Sequence, residues 1–421
     1  MGGGILESRK MHSPEDYTTR RQQGLALKNR GDELTRLGGA ENLAEAVRLC
    51  DEAIALLQDQ PVASDGSDRD ELASAWMKRG IALLNTRTPD ALAEAVRCFD
   101  RAIELRQQLP LAENARFRYG LAAGWINRGD ALTHLGGAEN LDAATHSHTE
   151  AIALLETLPL EEDELYVKRL AIARLNLGIA LEEKKNPTAL AEAVQCYRRT
   201  IDLLTAHGTA AMDFILAGAW LNFGNASLHA SGDAAAVETC DAAEKALALV
   251  SETESKELEP AEIGFKARHV LCRATLALLV AKGEGHGDGN GDGIQMDLVS
   301  RITDIVEDGM RLARGWEAEG VTRFRPLATQ LFHVGTLIYE RNQPQFLAEF
   351  VLDHLDPARA TCVIPGDTGW HAIARESLSR VRGRIHGLDF AMLATPRGKQ
   401  WIEILNEVKE AETRLQTFET R

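Results

Sequence analysis

The stretch Ala75-Trp76-Met77-Lys78-Arg79-Gly80-Ile81-Ala82-Leu83 decides the fold, because related stretches recur four more times along the chain. Every copy carries a glycine at the same place: Gly31, Gly80, Gly129, Gly178 and Gly224. Successive glycines are separated by 49, 49, 49 and 46 residues. A fixed period of about 20–50 residues is typical of an array of stacked supersecondary units. The chain is therefore predicted to be one repeat array rather than a set of unrelated globular domains.

Each copy is predicted to contain two helices, called here the A helix and the B helix. In the second copy, the apolar spacing indicates an A helix over about Asp70–Asn85 and a B helix over about Ala91–Leu109, with Thr88-Pro89-Asp90 between them. Each B helix carries three residues at offsets of four and seven, which puts them on one stripe. These stripes are Ala46-Cys50-Ala53, Ala95-Phe99-Ala102, Ala144-His148-Ala151, Ala193-Tyr197-Thr200 and Ala236-Cys240-Ala243.

The second copy resembles the tetratricopeptide repeat, in which a large apolar residue and a glycine on the first helix pack against small and aromatic residues on the second. Trp76, Gly80, Ala95, Phe99 and Ala102 carry the match. The resemblance covers about residues 16–250. It implies an all-α fold, a right-handed α-solenoid of antiparallel helix pairs whose A helices line a concave groove. The period exceeds the usual ~34 residues, so the chain looks like a long-repeat variant of that family.

The sequence is predicted to contain four segments. Residues 1–15 are predicted to be a disordered N-terminal tail, and residues 16–250 the five repeats. Residues 251–360 are predicted to be degenerate helical repeats around a Gly/Asp-rich loop at 283–293. Residues 361–421 are predicted to be C-terminal capping helices, because a terminal unit of a solenoid has one face without a neighbour.

A longer period of two repeats is also visible. Copies one and three share Asn-Arg-Gly-Asp-x-Leu-Thr-x-Leu-Gly-Gly-Ala-Glu-Asn-Leu at 29–43 and 127–141. Copies two and four share Ala-Leu-Ala-Glu-Ala-Val-x-Cys at 91–98 and 189–196. A duplication of a two-repeat unit explains this pattern, and selection for alternating binding pockets is the alternative.

Composition bounds the class of protein. Lys and Arg number 47 against 63 Asp and Glu, a formal net charge of −16, which disfavours nucleic acid and anionic lipid as partners. No apolar run approaches the ~18 residues of a membrane span. Four cysteines fall in B helices and are predicted to be small buried hydrophobes of a reducing compartment, the cytoplasm. They are Cys50, Cys98, Cys196 and Cys240.

The candidate binding residues follow from the resemblance. In that family the residue two before the glycine points into the concave groove, where asparagines hold extended peptides. Here those positions are Asn29, Lys78, Asn127, Asn176 and Asn222. An asparagine amide offers both a donor and an acceptor to a peptide backbone. Hydration of the groove is the alternative role.

Three arginines stand one residue before the glycine: Arg30, Arg79 and Arg128. Arginines in phase favour an acidic or phosphorylated segment of a partner. Local pairing with the many carboxylates of the chain is the alternative.

A calcium loop and two catalytic arrangements are weaker candidates. Asp288, Asn290 and Asp292 match the start of a calcium loop, but the glutamate expected at its twelfth position is Val299. A flexible acidic linker is therefore favoured. His148 occupies the place of Phe99 and is predicted to be a packing histidine, and a Cys362–His371 dyad lacks an orienting acid. No catalytic residue, metal or cofactor is predicted.

The sequence therefore predicts a non-catalytic protein–protein interaction module, an adaptor or regulatory subunit that binds a peptide or protein segment in its groove. The alternative is an effector-gated sensor that controls a protease, a kinase or a transcription factor, with residues 251–360 as its movable part. Oligomeric state is not indicated by the sequence.

Overall fold

The computed structural model describes residues 14–58, 66–251, 253–254, 256–283, 291–342, 344–355, 368–386 and 396–419. In these ranges the chain forms α-helices and two short 3-10 segments, without a strand. It divides into two compact units, Met1–Gly208 and Thr209–Arg421. The predicted tail lies outside the described residues up to residue 13, and the first helix begins at Pro14.

The first unit consists of helix pairs stacked in chain order. Every helix packs against the next one, and the A helices α1, α3, α5 and α7 also pack against one another in succession. The helices are α1 Pro14–Leu37, α2 Ala40–Leu57, α3 Ser67–Thr86, α4 Pro89–Gln107, α5 Ala115–Leu135, α6 Ala138–Leu155, α7 Glu164–Glu183 and α8 Pro187–His207. This is an all-α solenoid, as the period predicts.

The second unit begins with the fifth copy of the repeat. Short 3-10 segments, Ala210–Met212 and Gly232–Ala235, precede its A and B helices. Its helices are α9 Asp213–Ser231, α10 Ala236–Val250, α11 Leu258–Gly283, α12 Gly291–Ala318, α13 Arg325–Asn342, α14 Pro344–Leu355, α15 Thr368–His386 and α16 Pro396–Glu419. Consecutive helices pack against each other from α9 to α15, and α16 packs against α14 and α15. Residues 284–290 of the predicted Gly/Asp-rich loop lie outside the described residues, and helix α12 begins at Gly291.

The recurring glycines bring the A and B helices of a pair into contact. A β-carbon added to Gly80 would stand 2.5 Å from Phe99 Cε1, and one added to Gly178 would stand 2.4 Å from Tyr197 Cε1. Phe99 and Tyr197 are fully buried. Protein interiors are packed too densely to absorb an extra methyl group at such a contact. The recurring glycines are thus the positions at which a side chain of the B helix packs directly on the backbone of the A helix.

Replacing Gly80 by alanine is expected to lower the free energy of unfolding by about 1–3 kcal/mol, because the new methyl group displaces the Phe99 ring. Gly218, in the interior of α9, is a matched control, since a β-carbon there meets nothing within 4 Å. Gly218→Ala is expected to stabilise by ~0.5–1 kcal/mol through helix propensity. Urea unfolding followed by circular dichroism measures both. Equal effects of the two substitutions would contradict the packing role of Gly80.

The A–B turns alternate between two designs along the first unit. Pairs one and three turn through Gly38-Gly39 and Gly136-Gly137, all four with positive φ. Pairs two and four turn through Arg87-Thr88-Pro89 and Lys185-Asn186-Pro187, in which Arg87 and Lys185 have φ of 60° and 54°. Thr88 and Asn186 then cap the following helix with their side-chain oxygens. The two-repeat period of the sequence is therefore a period of the structure as well.

Within the described ranges, no helix is both long enough and apolar enough to cross a bilayer. The described cysteines are free thiols. Cys50, Cys98 and Cys240 are buried, as predicted, whereas Cys196 is only half-buried because it borders an open pocket.

Candidate functional site

The residues predicted to line the groove in the first unit lie on one face, which we call the A-helix face. It is formed by α1, α3, α5 and α7 and is defined by the positions two before each glycine: Asn29, Lys78, Asn127 and Asn176. These positions share one helix phase, because each glycine contacts the B helix of its own pair. The fifth predicted residue, Asn222, has the same place on α9 in the second unit, where it is half-buried.

Polar contacts join neighbouring A helices across this face. Lys78 Nζ lies 2.6 Å from Asp32 Oδ1 on the preceding A helix. Asn176 Nδ2 donates to Asp130 Oδ1 at 2.6 Å in the same manner two repeats later. Further contacts between consecutive repeats are Arg21–Asp68, Lys28–Glu71, Arg87–His134 and Arg169–Tyr119. The face is therefore polar and largely self-paired rather than a field of one charge.

The predicted asparagines divide into two kinds. The Asn176 amide is engaged with Asp130. In the described part of the chain, Asn29 and Asn127 have no hydrogen-bond partner, and Asn29 is exposed while Asn127 is half-buried. Lys78, the exception to the asparagine row, is neutralised by Asp32. The amides left for a ligand in the first unit are thus those of Asn29 and Asn127.

Two equivalent aspartates on this face have opposite electrostatic surroundings. Burial raises the pKa of Asp32, but hydrogen bonds and charges from Lys78 and Arg36 outweigh it and hold the pKa below its usual value. At Asp130 the partner is a neutral amide. Burial therefore dominates and raises the pKa of Asp130 to about 7, against weaker opposing effects of Asn176, Arg87 and Arg169.

His148 lies directly behind Asp130. It is fully buried, as predicted for a packing histidine, and a β-carbon on Gly129 would stand 2.5 Å from its Cε1. Its Nε2 is 3.8 Å from Asp130 Oδ1, and neither ring nitrogen has a hydrogen-bond partner. Burial lowers the pKa of His148 to about 4. The ring is neutral near pH 7 and does not compensate the carboxylate.

Two of the three predicted arginines lie between helices. Arg79 Nε contacts Asp51 Oδ1 at 2.6 Å and its Nη1 contacts Glu94 Oε1 at 2.8 Å. Arg128 Nε contacts Asp100 Oδ1 at 2.6 Å. Each arginine joins the B helix of the preceding pair to the B helix of its own pair. Local pairing is thus what the structure has at Arg79 and Arg128.

Arg30 is exposed and pairs with Glu33 one turn away on α1. The assignment of all three arginines to a ligand stays a prediction.

The remaining candidates fall mostly outside the described residues. Asp288, Asn290 and Cys362 lie there, and Asp292 lies near the start of α12. Among the residues that the structure does describe, no group of three or more His, Cys, Asp or Glu side chains is placed to hold a metal ion. The calcium loop and the cysteine–histidine dyad therefore remain the weaker candidates that the sequence makes them.

No protein-family model matches this chain, and none of the curated proteins resembles it in sequence. Solved structures with a related helix arrangement include the apo form of RapI, at 10% identity, over 76% of this chain and 97% of that chain, with a TM-score of 0.42. A Rap protein complexed with competence and sporulation factor matches at 13% identity over 93% and 99%, with a TM-score of 0.39. A circular tandem repeat protein matches at 13% identity over 96% of both chains, with a TM-score of 0.29. TM-scores this low carry no weight for the function of this chain.

Proposed function

We propose that this protein is a non-catalytic interaction module, an adaptor or regulatory subunit, whose A-helix face binds an extended segment of a partner protein. The observation that carries the proposal is the pair of unengaged amides, Asn29 and Asn127, on α1 and α5 in the described part of the chain. Each amide can donate to a peptide carbonyl and accept from a peptide N–H. An extended segment gains such main-chain hydrogen bonds along its length, while side-chain pockets give specificity.

The charges of the A-helix face support a peptide rather than a nucleic acid. Its two lysines are matched by carboxylates: Lys28 by Glu71 at 2.5 Å and Lys78 by Asp32 at 2.6 Å. A phosphate backbone would have to break these pairs within a chain of net charge −16. Binding through amides predicts a weak dependence of affinity on salt concentration.

Free thiols at Cys50, Cys98 and Cys240 support a reducing compartment, such as the cytoplasm, as the place where the module works.

The double substitution Asn29→Ala/Asn127→Ala tests the proposed face. We expect it to weaken binding of the partner about tenfold or more, because two hydrogen-bonding groups are lost from the interface. The melting temperature should change little, since neither amide has a partner within the described structure. The partner is first isolated by affinity capture from the producing organism, and its affinity is then measured by calorimetry.

Asn406→Ala is the matched control, because Asn406 is an exposed asparagine on α16 of the second unit. Asn176 is left unchanged, since its loss also removes a contact to Asp130. Unaltered partner affinity in the double variant would overturn the proposal, as would an equal loss of affinity in the control.

A further inference from the structure

The first unit contains furrows between the B helices of consecutive pairs, and arginines fill two of them. A furrow is defined here as the gap between consecutive B helices above the intervening A helix. Arg79 fills the furrow between α2 and α4, and Arg128 fills the furrow between α4 and α6. Their side chains are only 15% and 20% exposed.

The filled furrows show what chemistry holds a guanidinium there. Arg79 is bound by Asp51 on α2 and by Glu94 and the Cys98 Sγ on α4, the last at 2.9 Å. Its guanidinium carbon lies 6.0 Å from the centre of the Trp76 ring. Arg128 repeats the arrangement with Asp100, Ser147 Oγ at 2.8 Å and the Trp125 ring. Charge-assisted hydrogen bonds and ring stacking are the interactions that a guanidinium favours.

The third furrow, between α6 and α8, has no arginine at the α7 position that corresponds to Arg79 and Arg128. Arg174, one turn earlier on α7, bonds Glu156 Oε1 at 2.8 Å and the backbone oxygen of Arg199 at 3.3 Å. Leu177 stands where Arg79 and Arg128 stand, and Thr149 replaces Asp51 and Asp100. The result is an open pocket of about 580 Å³ bordered by both residues and by Leu181, Glu192, Cys196 and Arg199. The pocket thus has a leucine and a threonine where the filled furrows have an arginine and a carboxylate.

Two arginine-binding residues of the filled furrows are kept, whereas Arg174 stands in the place of the Trp76 and Trp125 rings. Glu192 stands in the place of Glu94 and Cys196 in the place of Cys98, both 98 residues later. Glu192 forms no ion pair within the described structure, whereas Glu94 pairs with Arg79 and Arg97. A free carboxylate and a thiol acceptor therefore remain at the position where the earlier furrow binds a guanidinium.

Two cations also border the pocket, and both are compatible with this ligand. Lys184 is paired with Asp142 at 2.8 Å and with Thr145 Oγ1 at 3.1 Å. Arg199 is exposed, where solvent screens its charge. Arg101 stands at the position equivalent to Arg199 beside the furrow that Arg79 fills. An arginine at the rim does not exclude a guanidinium from this kind of furrow.

We propose that the pocket between α6, α7 and α8 binds the guanidinium group of an arginine side chain supplied by a partner protein. The incoming side chain takes the place that Arg79 and Arg128 occupy in the two preceding furrows. Its aliphatic stem lies on Leu177 and Leu181, and its guanidinium faces Glu192 and Cys196. Arginine anchors in such pockets often carry a large share of the binding energy of an interface.

The probe for this site is N-acetyl-L-arginine amide, and the control probe is N-acetyl-L-citrulline amide, which has nearly the same shape without the charge. Ligand-detected nuclear magnetic resonance on the full chain measures both affinities. We expect a dissociation constant on the order of 1 mM for the arginine probe, as for a ligand of its size. Equal affinity for citrulline, or no binding of the arginine probe, overturns the proposal.

The double variant Leu177→Arg/Thr149→Asp restores the arginine and the carboxylate of the filled furrows. We expect it to abolish binding of the arginine probe, because its own arginine now occupies the pocket, without lowering the melting temperature. Retained binding of the probe in this variant contradicts the proposal.

A second pair of variants keeps the test decisive if the double variant fails to fold. Glu192→Gln changes an exposed carboxylate and is expected to weaken the arginine probe about threefold. Glu94→Gln is its matched control at the filled furrow and should leave probe affinity unchanged. An equal effect of the two substitutions shows that the probe does not bind at this pocket.

Discussion

Replacing Arg268 by methionine is expected to lower the free energy of unfolding of the second unit by about 3–5 kcal/mol. Arg268 is 6% exposed on α11 and donates through Nη1 and Nη2 to both carboxylate oxygens of Glu254, each at 2.8 Å. It also bonds Asp308 on α12. Methionine fills most of the same space but leaves the buried Glu254 carboxylate without a counter-charge, which is the costly state.

The packing around this ion pair leaves little room for rearrangement. A β-carbon on Gly264 would stand 2.0 Å from Glu254 Oε2, and one on Gly309 would stand 3.1 Å from Arg268 Cδ. Trp316 Nε1 donates to the backbone oxygen of Glu254 at 3.1 Å. The pair therefore holds the segment before α11 against α11 and α12.

Lys266→Met is the matched control, because Lys266 lies on the same helix and pairs with Glu262 at an exposed position. Its cost is expected to stay below ~1 kcal/mol. The pair Glu254→Gln/Arg268→Met should recover part of the loss, since no buried charge remains. Urea unfolding and hydrogen exchange of α11 measure these differences. A cost at Arg268 no larger than that at Lys266 would show that the buried pair contributes little.

Opposite pH dependences of stability are expected when Asp130 and His148 are replaced one at a time. The pKa of Asp130 is raised from 3.8 to about 7, so it favours the folded state at low pH, and this contribution is lost as pH rises through 7. The pKa of His148 is lowered from 6.5 to about 4, so its contribution is present above pH 6.5 and is lost as pH falls through 4. Between these limits the two contributions oppose each other in the unmodified protein.

Asp130→Asn is expected to stabilise the first unit at pH 8 by on the order of 2 kcal/mol relative to the unmodified protein, and much less at pH 5. One pH unit of pKa difference corresponds to ~1.4 kcal/mol. The side chain of Asp130 is 27% exposed, so solvent screening makes the expected stabilisation smaller than the full pKa difference implies. Without the carboxylate, the pH dependence that His148 causes is no longer opposed by that of Asp130. The stability of the variant should therefore fall as pH falls from 7 to 4.

His148→Phe makes the complementary test, because phenylalanine already lies on the equivalent Gly80 in the second pair. Its stability should rise as pH falls from 8 to 5, when Asp130 takes up its proton. Asn176→Lys gives a third comparison, since it copies the Lys78–Asp32 pair and should lower the pKa of Asp130. Urea midpoints at pH 5, 6.5 and 8 measure all three. Parallel pH profiles for the aspartate and histidine variants would contradict the opposing contributions.

The repeat period predicts most of the helices, because each helix is specified locally. Apolar spacing, the Thr88-Pro89 and Asn186-Pro187 breaks and the double glycines are all readable within a window of one repeat. The prediction is less accurate at Cys196 and around Gly291. The exposure of Cys196 depends on which side chain of α7 lies in the furrow. Gly291 begins a helix although glycine has a low helix propensity.

The positions of the A-helix face are predictable from the glycine register, but their pairing is not. Sequence places Asn127 and Asn176 at equivalent sites, yet Asn176 bonds Asp130 while Asn127 has no partner among the described residues. The difference arises from a residue 46 positions away on the preceding A helix. The residue directly after the glycine alternates between aspartate, at Asp32 and Asp130, and isoleucine, at Ile81 and Ile179. This alternation was the sequence pattern from which the difference in pairing could have been predicted.

The sequence by itself determined that this protein is a helical repeat array, because a period of 49 residues repeats the same local helix and turn signals. Only the tertiary structure decided which polar groups form hydrogen bonds or ion pairs within the protein. Contacts between consecutive repeats join side chains that are far apart along the chain, and their burial sets their charge state. The recurring Ala75–Leu83 stretch therefore specifies the architecture. Contacts from adjacent repeats decide that the amides of Asn29 and Asn127 have no partner in the described structure and that the pocket at Leu177 is open.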